Sequence, residues 1–159
     1  MDFGFTTDPT AIVDVYQYDG KLWVNEHCYE RGLTNDQIAD RLRDKDCDVI
    51  ADSAEQKSIR EIYNYGIKKI EAANKGADSI RNGIQILQRY EICVTKSSLN
   101  LIYELRNYKW KEDKITGELR NEPIDSNNHA LDALRYVALN KLSESSKPRG
   151  IRAVSYTHL

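Results

Sequence analysis

Apolar segments of the first thirty positions are short and separated by polar turn residues, as is typical of β-strands. Thr10 to Tyr18 is rich in β-branched and aromatic residues, and Lys21 to Tyr29 continues the pattern. Asp19-Gly20 between them supplies the positive φ angles of a two-residue turn, so the two segments predict a β-hairpin. Residues 1–5, which are apolar around one Asp, predict a strand that ends at the turn-forming residues 6–9. We therefore expect the chain to open with three strands.

From residue 34 onward, segments with helical spacing of apolar residues alternate with short apolar runs. The predicted helices are 34–43, 55–65, 78–88 and 98–107, and the predicted strands are 48–52, 67–72 and 92–95. Residues 108–120, turning at Thr116-Gly117, predict a second hairpin. Alternating helices and strands are the pattern of an α/β sheet. The pattern therefore predicts a fold of the α/β class.

The apolar faces of the last two predicted helices are the clearest. In the helix 98–107, Leu101, Ile102 and Leu105 are expected to point inward. A final helix, capped by Ser126, is predicted to run from 127 to 142. Its apolar face consists of Ala130, Leu131, Leu134, Val137 and Ala138. Residues 143–159 lack periodicity and are rich in Ser, Lys, Pro and Gly, so we expect one domain over 1–142 and a poorly ordered tail.

Composition excludes several classes of protein. With 159 residues, 40% of them hydrophobic and 30% charged, the chain has the size and balance of one globular domain. It contains no apolar run that could span a bilayer and no secretory signal, so we expect an intracellular protein with no membrane role. Its cysteines, Cys28, Cys47 and Cys93, include no CxxC pair, which argues against a disulfide framework or a zinc site and predicts core filling.

The net charge of −2 hides an uneven distribution. Residues 1–54 contain 12 Asp/Glu and 5 Lys/Arg, a net charge of −7, whereas residues 55–159 contain 13 and 18, a net charge of +5. An acidic front half and a basic back half suit a protein that gathers metal ions in one place and meets a polyanion in another. Ordinary solvation of a charged surface explains the same split.

Three aspartates occupy positions where a structural role is hard to supply. Asp2 lies inside the first apolar strand, Asp52 ends the buried strand 48–52, and Asp132 lies between Leu131 and Leu134 on the final helix. Ionised Asp is rarely buried unless it is paired or binds a metal. Each position also has a simpler interpretation: Asp2 can be exposed at a chain end, Asp52 can cap the next helix, and Asp132 can pair with Arg135.

Taken together, the three aspartates predict a metal site. If the strands that carry Asp2 and Asp52 are neighbours, a helix packed across them brings Asp132 to the same point. Three desolvated carboxylates repel one another unless divalent cations neutralise them, and hard oxygen ligands suit Mg²⁺ or Mn²⁺. Two such ions about 4 Å apart would activate water and stabilise the leaving oxygen of a phosphodiester. Removing any one Asp should abolish this chemistry and leave the fold intact or more stable.

Four segments of the sequence form a recognisable series. They are Asp2-Phe3-Gly4-Phe5 with Asp8-Pro9-Thr10-Ala11, then Ala51-Asp52-Ser53-Ala54-Glu55, then Lys75-Gly76-Ala77-Asp78-Ser79-Ile80, and finally Asn128-His129-Ala130-Leu131-Asp132-Ala133-Leu134-Arg135-Tyr136. In order and spacing they resemble the nuclease half of phage terminase large subunits. The last segment is the most specific, and the resemblance covers about residues 1–142. It implies a ribonuclease H-like mixed β-sheet with an antiparallel hairpin at one side and helices on both faces.

The resemblance also implies an activity and its partners. The expected enzyme is a metal-dependent endonuclease that cuts concatemeric double-stranded DNA during phage genome packaging, in the cytoplasm of the infected bacterial host. Asp2, Asp52 and Asp132 would hold two Mg²⁺ or Mn²⁺ ions. The partners would be double-stranded DNA, an ATPase domain, the portal and the small terminase subunit. The family places a phosphate-binding Walker loop before the nuclease, and this sequence contains no GxxxxGK[ST].

Some family members have a histidine beside the metals, and the resemblance assigns a supporting role of this kind to His129. It lies three residues before Asp132, on the same helical face, where it can ligate a metal or transfer a proton. The helix N-terminus and nearby cations should lower its pKa below the ordinary value of about 6.5. The simpler interpretation is a polar residue at a helix end with no chemical role.

Four basic residues are candidates for DNA contact. Lys75 and Arg81 flank a predicted helix start, and Lys109 and Lys111 lie beside Trp110 on the second hairpin. For any one of them, a solvated surface is the simpler interpretation. Two other functions remain open: another ribonuclease H-like nuclease, such as a junction resolvase or a ribonuclease H, or an inactive module that docks to the portal or DNA.

Overall fold

A computed structural model describes residues 1–113, 116–124 and 126–143, and the fold is an α/β sheet with helices on both faces. The strands are β1 (Thr10–Tyr18), β2 (Lys21–Glu30), β3 (Val49–Ala51), β4 (Ile70–Ala72), β5 (Glu91–Val94), β6 (Trp110–Glu112) and β7 (Leu119–Pro123). The helices are α1 (Asn35–Leu42), α2 (Gln56–Asn64), α3 (Ser79–Leu87), α4 (Leu99–Asn107) and α5 (His129–Val137), followed by a π-helical turn, Ala138–Leu142. Among the described residues, no helix is both long and apolar enough to cross a membrane.

The central sheet is mixed. β1 and β2 form the predicted antiparallel hairpin, whose turn places Asp19 and Gly20 at positive φ, and β2 pairs in parallel with β5. β3 and β4 form a second, parallel pair. Residues 1 and 2 connect the two sets: Asp2 pairs with Ala11 of β1, and the Met1 carbonyl accepts the Asp52 N–H at 3.1 Å. The segments carrying Asp2 and Asp52 are therefore neighbours, as predicted.

Opposite faces of the sheet carry different helices. On one face, Ile12 of β1 packs with Ile38 of α1 and Ile62 of α2. On the other face, the cluster contains Leu22 and Val24 of β2 together with residues of α3, α4 and α5. Its members from these helices are Ile86, Leu87, Leu101, Ala130, Leu131, Ala133 and Leu134. Burying apolar side chains on both faces fixes α5 across the sheet, close to β1 and β3.

The first strand is shorter than predicted. Only Asp2 forms a bridge, because the backbone of Gly4 bonds a side chain instead of a neighbouring strand. Gly4 donates its N–H to the Thr10 hydroxyl at 3.3 Å and accepts the proton of that hydroxyl at 2.8 Å. A Cβ at Gly4 would lie 2.3 Å from the Asp8 carbonyl oxygen, so this close approach requires glycine.

The final helix also differs from the prediction. Asn127 has a φ of +49°, which is incompatible with a helix, so α5 starts at His129 and its N-cap is Asn128, two residues later than predicted. At the other end, the Asn140 side chain donates to the Tyr136 carbonyl at 2.7 Å and the backbone becomes π-helical. Of the expected tail, residues 144–159 lie outside the described residues.

Two expectations about burial were wrong in part. Cys28 is buried as predicted and Cys93 is partly buried, but Cys47 is exposed. In α4, Leu101 is fully buried, whereas Leu105 faces solvent and Glu104 is buried in its place. The inward face of α4 is therefore rotated toward Glu104, a carboxylate that hydrophobic patterning assigns to the surface.

Candidate functional site

Asp2 lies at the centre of the fold, between β1 and β3. Its backbone bonds Ala11 in both directions, at 2.8 and 2.9 Å. Its side chain is buried rather than exposed at a chain end, which excludes the simpler interpretation of this residue. The carboxylate faces the start of α5, where His129 Nδ1 lies 3.1 Å from Asp2 Oδ2.

Asp2 and Asp52 are joined by the hydroxyl of Tyr136 on α5. The hydroxyl oxygen lies 3.3 Å from Asp2 Oδ1 and 3.0 Å from Asp52 Oδ2, so its proton is donated to one carboxylate at a time. Burial raises the pKa of Tyr136, and the charges of Asp2, Asp132 and Asp52 raise it further. The sequence analysis missed Tyr136. The available signal was its position four residues after Asp132, on the same helical face.

Asp52 is held in its ionised form. Burial alone would raise its pKa, but hydrogen bonds from the Ala54 N–H, Lys75 and Tyr136 outweigh that effect and lower it. The Ala54 bond is 2.8 Å long and closes a local turn, while α2 begins only at Gln56 and has Glu55 as its N-cap. Asp52 is therefore not the cap of the next helix. Lys75 forms an ion pair with Asp52, and its ammonium lies 4.6 Å from the centre of the Tyr136 ring.

Asp132 faces the same region and is paired with Arg135, as its simpler interpretation predicted. Asp132 Oδ1 lies 2.8 Å from Arg135 Nη2, and both side chains are largely buried. Burial raises the pKa of Asp132 and the charge of Asp2 adds to the rise, while Arg135 opposes it. The approach of Arg135 does not have hydrogen-bond geometry, so among the described residues Asp132 Oδ1 is a buried oxygen without a hydrogen-bond donor.

His129 lies at the rim of this group, as its spacing from Asp132 predicted. Besides Asp2, its ring approaches Asp8 Oδ1 at 3.6 Å from Nε2, and it meets the ring of Tyr29 edge-on. The expected lowering of its pKa is wrong for the chain without metal. The hydrogen bond to Asp2 raises the pKa of His129, and this effect outweighs desolvation.

The oxygen atoms of the three aspartates fit a divalent cation chemically. In this structure they contact Lys75, Arg135 and the Tyr136 hydroxyl instead. Asp2, Asp52 and Asp132 supply the carboxylate oxygens that Mg²⁺ and Mn²⁺ prefer, and the buried Asp132 oxygen has no hydrogen-bond donor in the described part of the chain. In that same part, no three His, Cys, Asp or Glu side chains already enclose a metal position. Lys75 and Arg135 supply the positive charge that such a cation would contribute.

The four basic residues predicted to contact DNA do not lie on one surface. Arg81 and Lys111 line one groove, together with Arg120, and this groove reaches Asn128 at the start of α5. Arg120 was missed by the sequence analysis, and it pairs with Asp113 at 2.6 Å. Lys75 is at the aspartate cluster instead, and Lys109 is exposed without lining the groove.

A fold with helices on both faces of a mixed sheet, and with aspartates meeting between neighbouring strands and a crossing helix, has the arrangement of a ribonuclease H-like nuclease. Residues 2–140 match the family described as the terminase RNAseH like domain. The chain belongs to this family, and the expected fold class is confirmed.

Known relatives support the assignment. The chain is 30% identical to the terminase large subunit of Bacillus phage SPP1 and 28% identical to the PBSX phage terminase large subunit of Bacillus subtilis. Each match covers 86% of this chain, but the chain spans only 34% and 32% of these relatives.

Solved structures agree with these relatives. The crystal structure of the SPP1 large terminase nuclease domain with bound Mn matches with a TM-score of 0.76 and 30% identity. The match covers 85% of this chain and 80% of that one. The large terminase of a thermophilic bacteriophage matches with a TM-score of 0.67 and 27% identity, over 89% of this chain and 38% of that one.

Proposed function

We propose that this chain is the divalent-metal-dependent endonuclease domain that cuts concatemeric double-stranded DNA during phage genome packaging. The observation that carries the proposal is the meeting of Asp2 and Asp52 at the Tyr136 hydroxyl, on the helix that also bears Asp132. Membership of the terminase family and the similarity to a nuclease domain crystallised with Mn support this interpretation.

In the proposed site, Asp2, Asp52 and Asp132 are the ligands of two Mg²⁺ or Mn²⁺ ions. When bound, such ions lower the pKa of a water and stabilise charge on the departing oxygen of a phosphodiester. The lowered pKa of Asp52 keeps this carboxylate charged, as a ligand must be. The Tyr136 hydroxyl orients the carboxylates of Asp2 and Asp52.

His129 is proposed as a supporting ligand or proton-transfer group. Its Nδ1 bonds Asp2, which leaves Nε2 directed toward the outer side of the site near Asp8. A ring fixed by a carboxylate at one nitrogen can ligate or exchange a proton at the other. Because Asp2 raises the pKa of His129, the ring in the chain without metal carries its proton over a wider pH range than a free histidine.

The proposed path of the DNA backbone follows the groove that contains Arg81, Lys111 and Arg120. Three cations in one groove that ends at the start of α5 suit a phosphate backbone leading to the aspartates. Lys75, ion-paired with Asp52, is placed to meet a phosphate at the site itself. Lys109 remains a peripheral candidate.

We further propose that residues 1–142 act as one domain within a longer protein. The curated relatives are about three times the length of the matched region, and a similar large terminase from a thermophilic bacteriophage was solved in complex with ADP. An ATPase domain, the portal and the small terminase subunit are the proposed partners, and the cytoplasm of the infected bacterial host is the proposed place of action.

Digestion of a supercoiled plasmid in MnCl₂ tests the proposal, with Asp52→Ala as the control. The parent should produce nicked and linear DNA, and the variant should produce neither, because it lacks a metal ligand while retaining the buried packing of β3. Equal cutting by both proteins would reject the site. Preference for a four-way junction or an RNA–DNA hybrid over duplex DNA would instead favour a junction resolvase or a ribonuclease H.

One observation favours the second candidate, an inactive module that docks to the portal or DNA. Lys75 and Arg135 already neutralise two of the three aspartates, and no metal position is enclosed within the described residues. Titration with Mn²⁺ separates the two functions. A nuclease should bind Mn²⁺ in a manner that depends on Asp52, whereas a docking module should show no carboxylate-dependent binding.

A further inference from the structure

Glu104 is a buried carboxylate that the proposed chemistry does not use. It lies on α4 and is only 1% exposed, although the sequence pattern places it at the surface. Its Oε1 accepts the hydroxyl proton of Tyr29 at 2.8 Å, and its Oε2 accepts the N–H of Leu131 at 2.9 Å. A carboxylate is retained in such a position only when both oxygens are bonded, as they are here.

The bond to Leu131 supplies a cap that α5 does not provide for itself. The first N–H groups of a helix have no partner within the helix, and a side chain at the N-cap usually accepts one of them. The N-cap of α5, Asn128, makes no side-chain cap bond. Leu131 is the third residue of α5, so Glu104 performs this function from another helix, and its negative charge suits the helix N-terminus.

The bond to Tyr29 extends the effect of Glu104 to His129. The Tyr29 ring meets the His129 ring edge-on, with the ring centres 6.3 Å apart and an angle of 64° between their planes. Glu104 therefore fixes the first turn of α5 through Leu131 and supports the ring of His129 through Tyr29. Both constraints act on the turn that carries Asp132 next to Leu131.

We propose that Glu104 is a positioning residue of the nuclease site: from α4 it fixes the start of α5, and with it His129 and Asp132, relative to Asp2. The inference rests on the proposed function of those residues. Glu104 touches neither the aspartates nor the substrate path. Its contribution is that of a hydrogen-bond acceptor at a fixed point in the core.

Three variants test the proposal. Glu104→Ala removes both bonds and leaves the Leu131 N–H and Tyr29 hydroxyl without an acceptor. Glu104→Gln retains the Leu131 bond through its amide oxygen and reverses the Tyr29 bond, because its NH₂ donates to the Tyr29 oxygen. Glu26→Ala is the matched control. Glu26 caps α4 in the same manner, accepting the Leu101 N–H at 2.8 Å and the Asn100 side-chain amide at 2.8 Å.

The expected results separate positioning from stability. Glu104→Ala and Glu26→Ala should both lower the Tm. At a temperature where circular dichroism shows both to be folded, only Glu104→Ala should lower kcat of Mn²⁺-dependent plasmid cleavage. The expected loss is roughly 10- to 100-fold, the size of effect that small misplacements produce, with KM for DNA unchanged. Glu104→Gln should recover kcat to within about fivefold of the parent, since it keeps the bond to the Leu131 N–H and a contact with Tyr29 and loses the charge at the helix end.

Other outcomes overturn the proposal. Parental kcat in Glu104→Ala, or equal losses of kcat in Glu104→Ala and Glu26→Ala, would show that Glu104 is only a structural cap. If Glu104→Ala does not fold, Glu104→Asp takes its place, because it is too short by one methylene to hold both bonds. If the parent itself does not cut, the proposed function fails separately. In that case the NMR chemical shifts of the His129 ring in the metal-free protein test whether Glu104 positions it. They should change in Glu104→Ala and remain unchanged in Glu26→Ala.

Discussion

Of the three aspartates near the Tyr136 hydroxyl, two are paired with a buried or partly buried cation. Asp52 has Lys75 as its counterion, and Asp132 has Arg135. Arg135 is more deeply buried than Asp132, and its guanidinium also lies 5.3 Å from the centre of the Tyr136 ring. Removing one aspartate thus relieves repulsion among carboxylates but also removes the partner of a cation. Which effect is larger depends on how deeply that cation is buried.

For Asp132 we expect the loss of the partner to dominate. Breaking a buried ion pair costs about 3–5 kcal/mol, and since Asp132 is partly exposed we expect Asp132→Asn to lower the free energy of unfolding by about 2 kcal/mol. This reverses, for Asp132, the expectation of an unchanged or stabilised fold. Urea unfolding in EDTA measures the difference, with Asp52→Asn as the control, since Lys75 can turn toward solvent. Equal or greater stability of Asp132→Asn would show that repulsion dominates.

The pKa of His129 makes a second prediction at this scale. Because Asp2 raises this pKa in the folded chain, His129 contributes stability that is fully present below its unfolded pKa of about 6.5. That contribution is lost as the pH rises through the higher folded value. Burial also raises the pKa of Asp132, so the pH dependence of the total stability is uninformative by itself.

The informative quantity is the difference in unfolding free energy between the parent and His129→Gln, measured in EDTA from pH 5.5 to 8.5. We expect the parent to have its greatest advantage at the acid end and to lose it toward pH 8.5. A constant difference would mean that the Asp2–His129 bond does not favour the protonated ring.

In the metal-bound enzyme, His129→Ala should reduce the cleavage rate by roughly 10²-fold, the low end for acid–base groups.

At the residue scale, the sequence could reveal Asp2, Asp52 and Asp132 because an aspartate among apolar residues is unusual. It did not single out Tyr136 or Glu104, because a tyrosine or glutamate on an amphipathic helix is ordinary. Their importance comes from contacts between elements distant in the chain, such as Tyr136 with Asp2, and these depend on packing. The predicted direction of the His129 pKa shift was wrong for the same reason. The helix N-terminus could be recognised in the sequence, but the hydrogen bond to Asp2 could not.

At the scale of elements, α5 crosses the fold where α3 has a glycine. A Cβ placed on Gly83 would lie 2.2 Å from Cγ and 2.8 Å from Cδ of Arg135. Such distances are impossible for real atoms, so the absence of a side chain at Gly83 lets Arg135 pass α3 and reach Asp132. Glycine inside a helix costs about 1 kcal/mol relative to alanine, and here it provides the space for a buried ion pair.

Gly83→Ala should therefore destabilise the fold although it raises helix propensity. Overpacking costs about 1–3 kcal/mol, which exceeds the gain in helix propensity. Asn82→Ala, one position earlier in α3 and exposed, gains the propensity without the clash. Thermal unfolding compares the two variants, and a Gly83→Ala protein as stable as Asn82→Ala would show that Arg135 has room to move.

The sequence predicted most elements because hydrophobic period and turn residues are local signals. The β1–β2 hairpin and α1 to α4 lie within a few residues of their predicted positions. Residues 1–5 were overpredicted as a strand because Gly4 bonds the Thr10 side chain, and α5 begins late because Asn127 adopts a positive φ. In both cases a single contact or dihedral angle overrides the pattern.

For the whole molecule, basic residues of the back half of the chain lie on both sides of the sheet. The Arg81, Lys111 and Arg120 groove lies on the side of α3, whose Ile86 and Leu87 pack in one core cluster. The exposed Lys57 of α2 lies on the helix that packs in the other cluster. The charge count of the sequence indicated a polyanion partner but not this groove, since the hairpin residues meet α3 only in the folded chain.

We expect substitutions in the groove, and not elsewhere on the basic surface, to change the affinity for DNA. Arg81→Ala and Lys111→Ala should each weaken binding of duplex DNA and reduce the slope of log affinity against log salt by about 1, because each removes one phosphate contact. Lys57→Ala should change neither quantity. Fluorescence anisotropy from 50 to 200 mM NaCl measures both. Equal effects of all three variants would indicate nonspecific attraction to the whole surface.

We propose that Asp2, Asp52 and Asp132 together hold the catalytic metal ions. Crystals of the protein soaked in MnCl₂ and measured at the manganese absorption edge test this proposal. We predict anomalous peaks between Asp2 and Asp52, with carboxylate oxygens at about 2.1 Å, as for comparable hard cations, and with Asp132 turned from Arg135 toward the metal. Manganese bound elsewhere, or absent from this cluster in crystals of a protein that cuts plasmid DNA, would contradict the account.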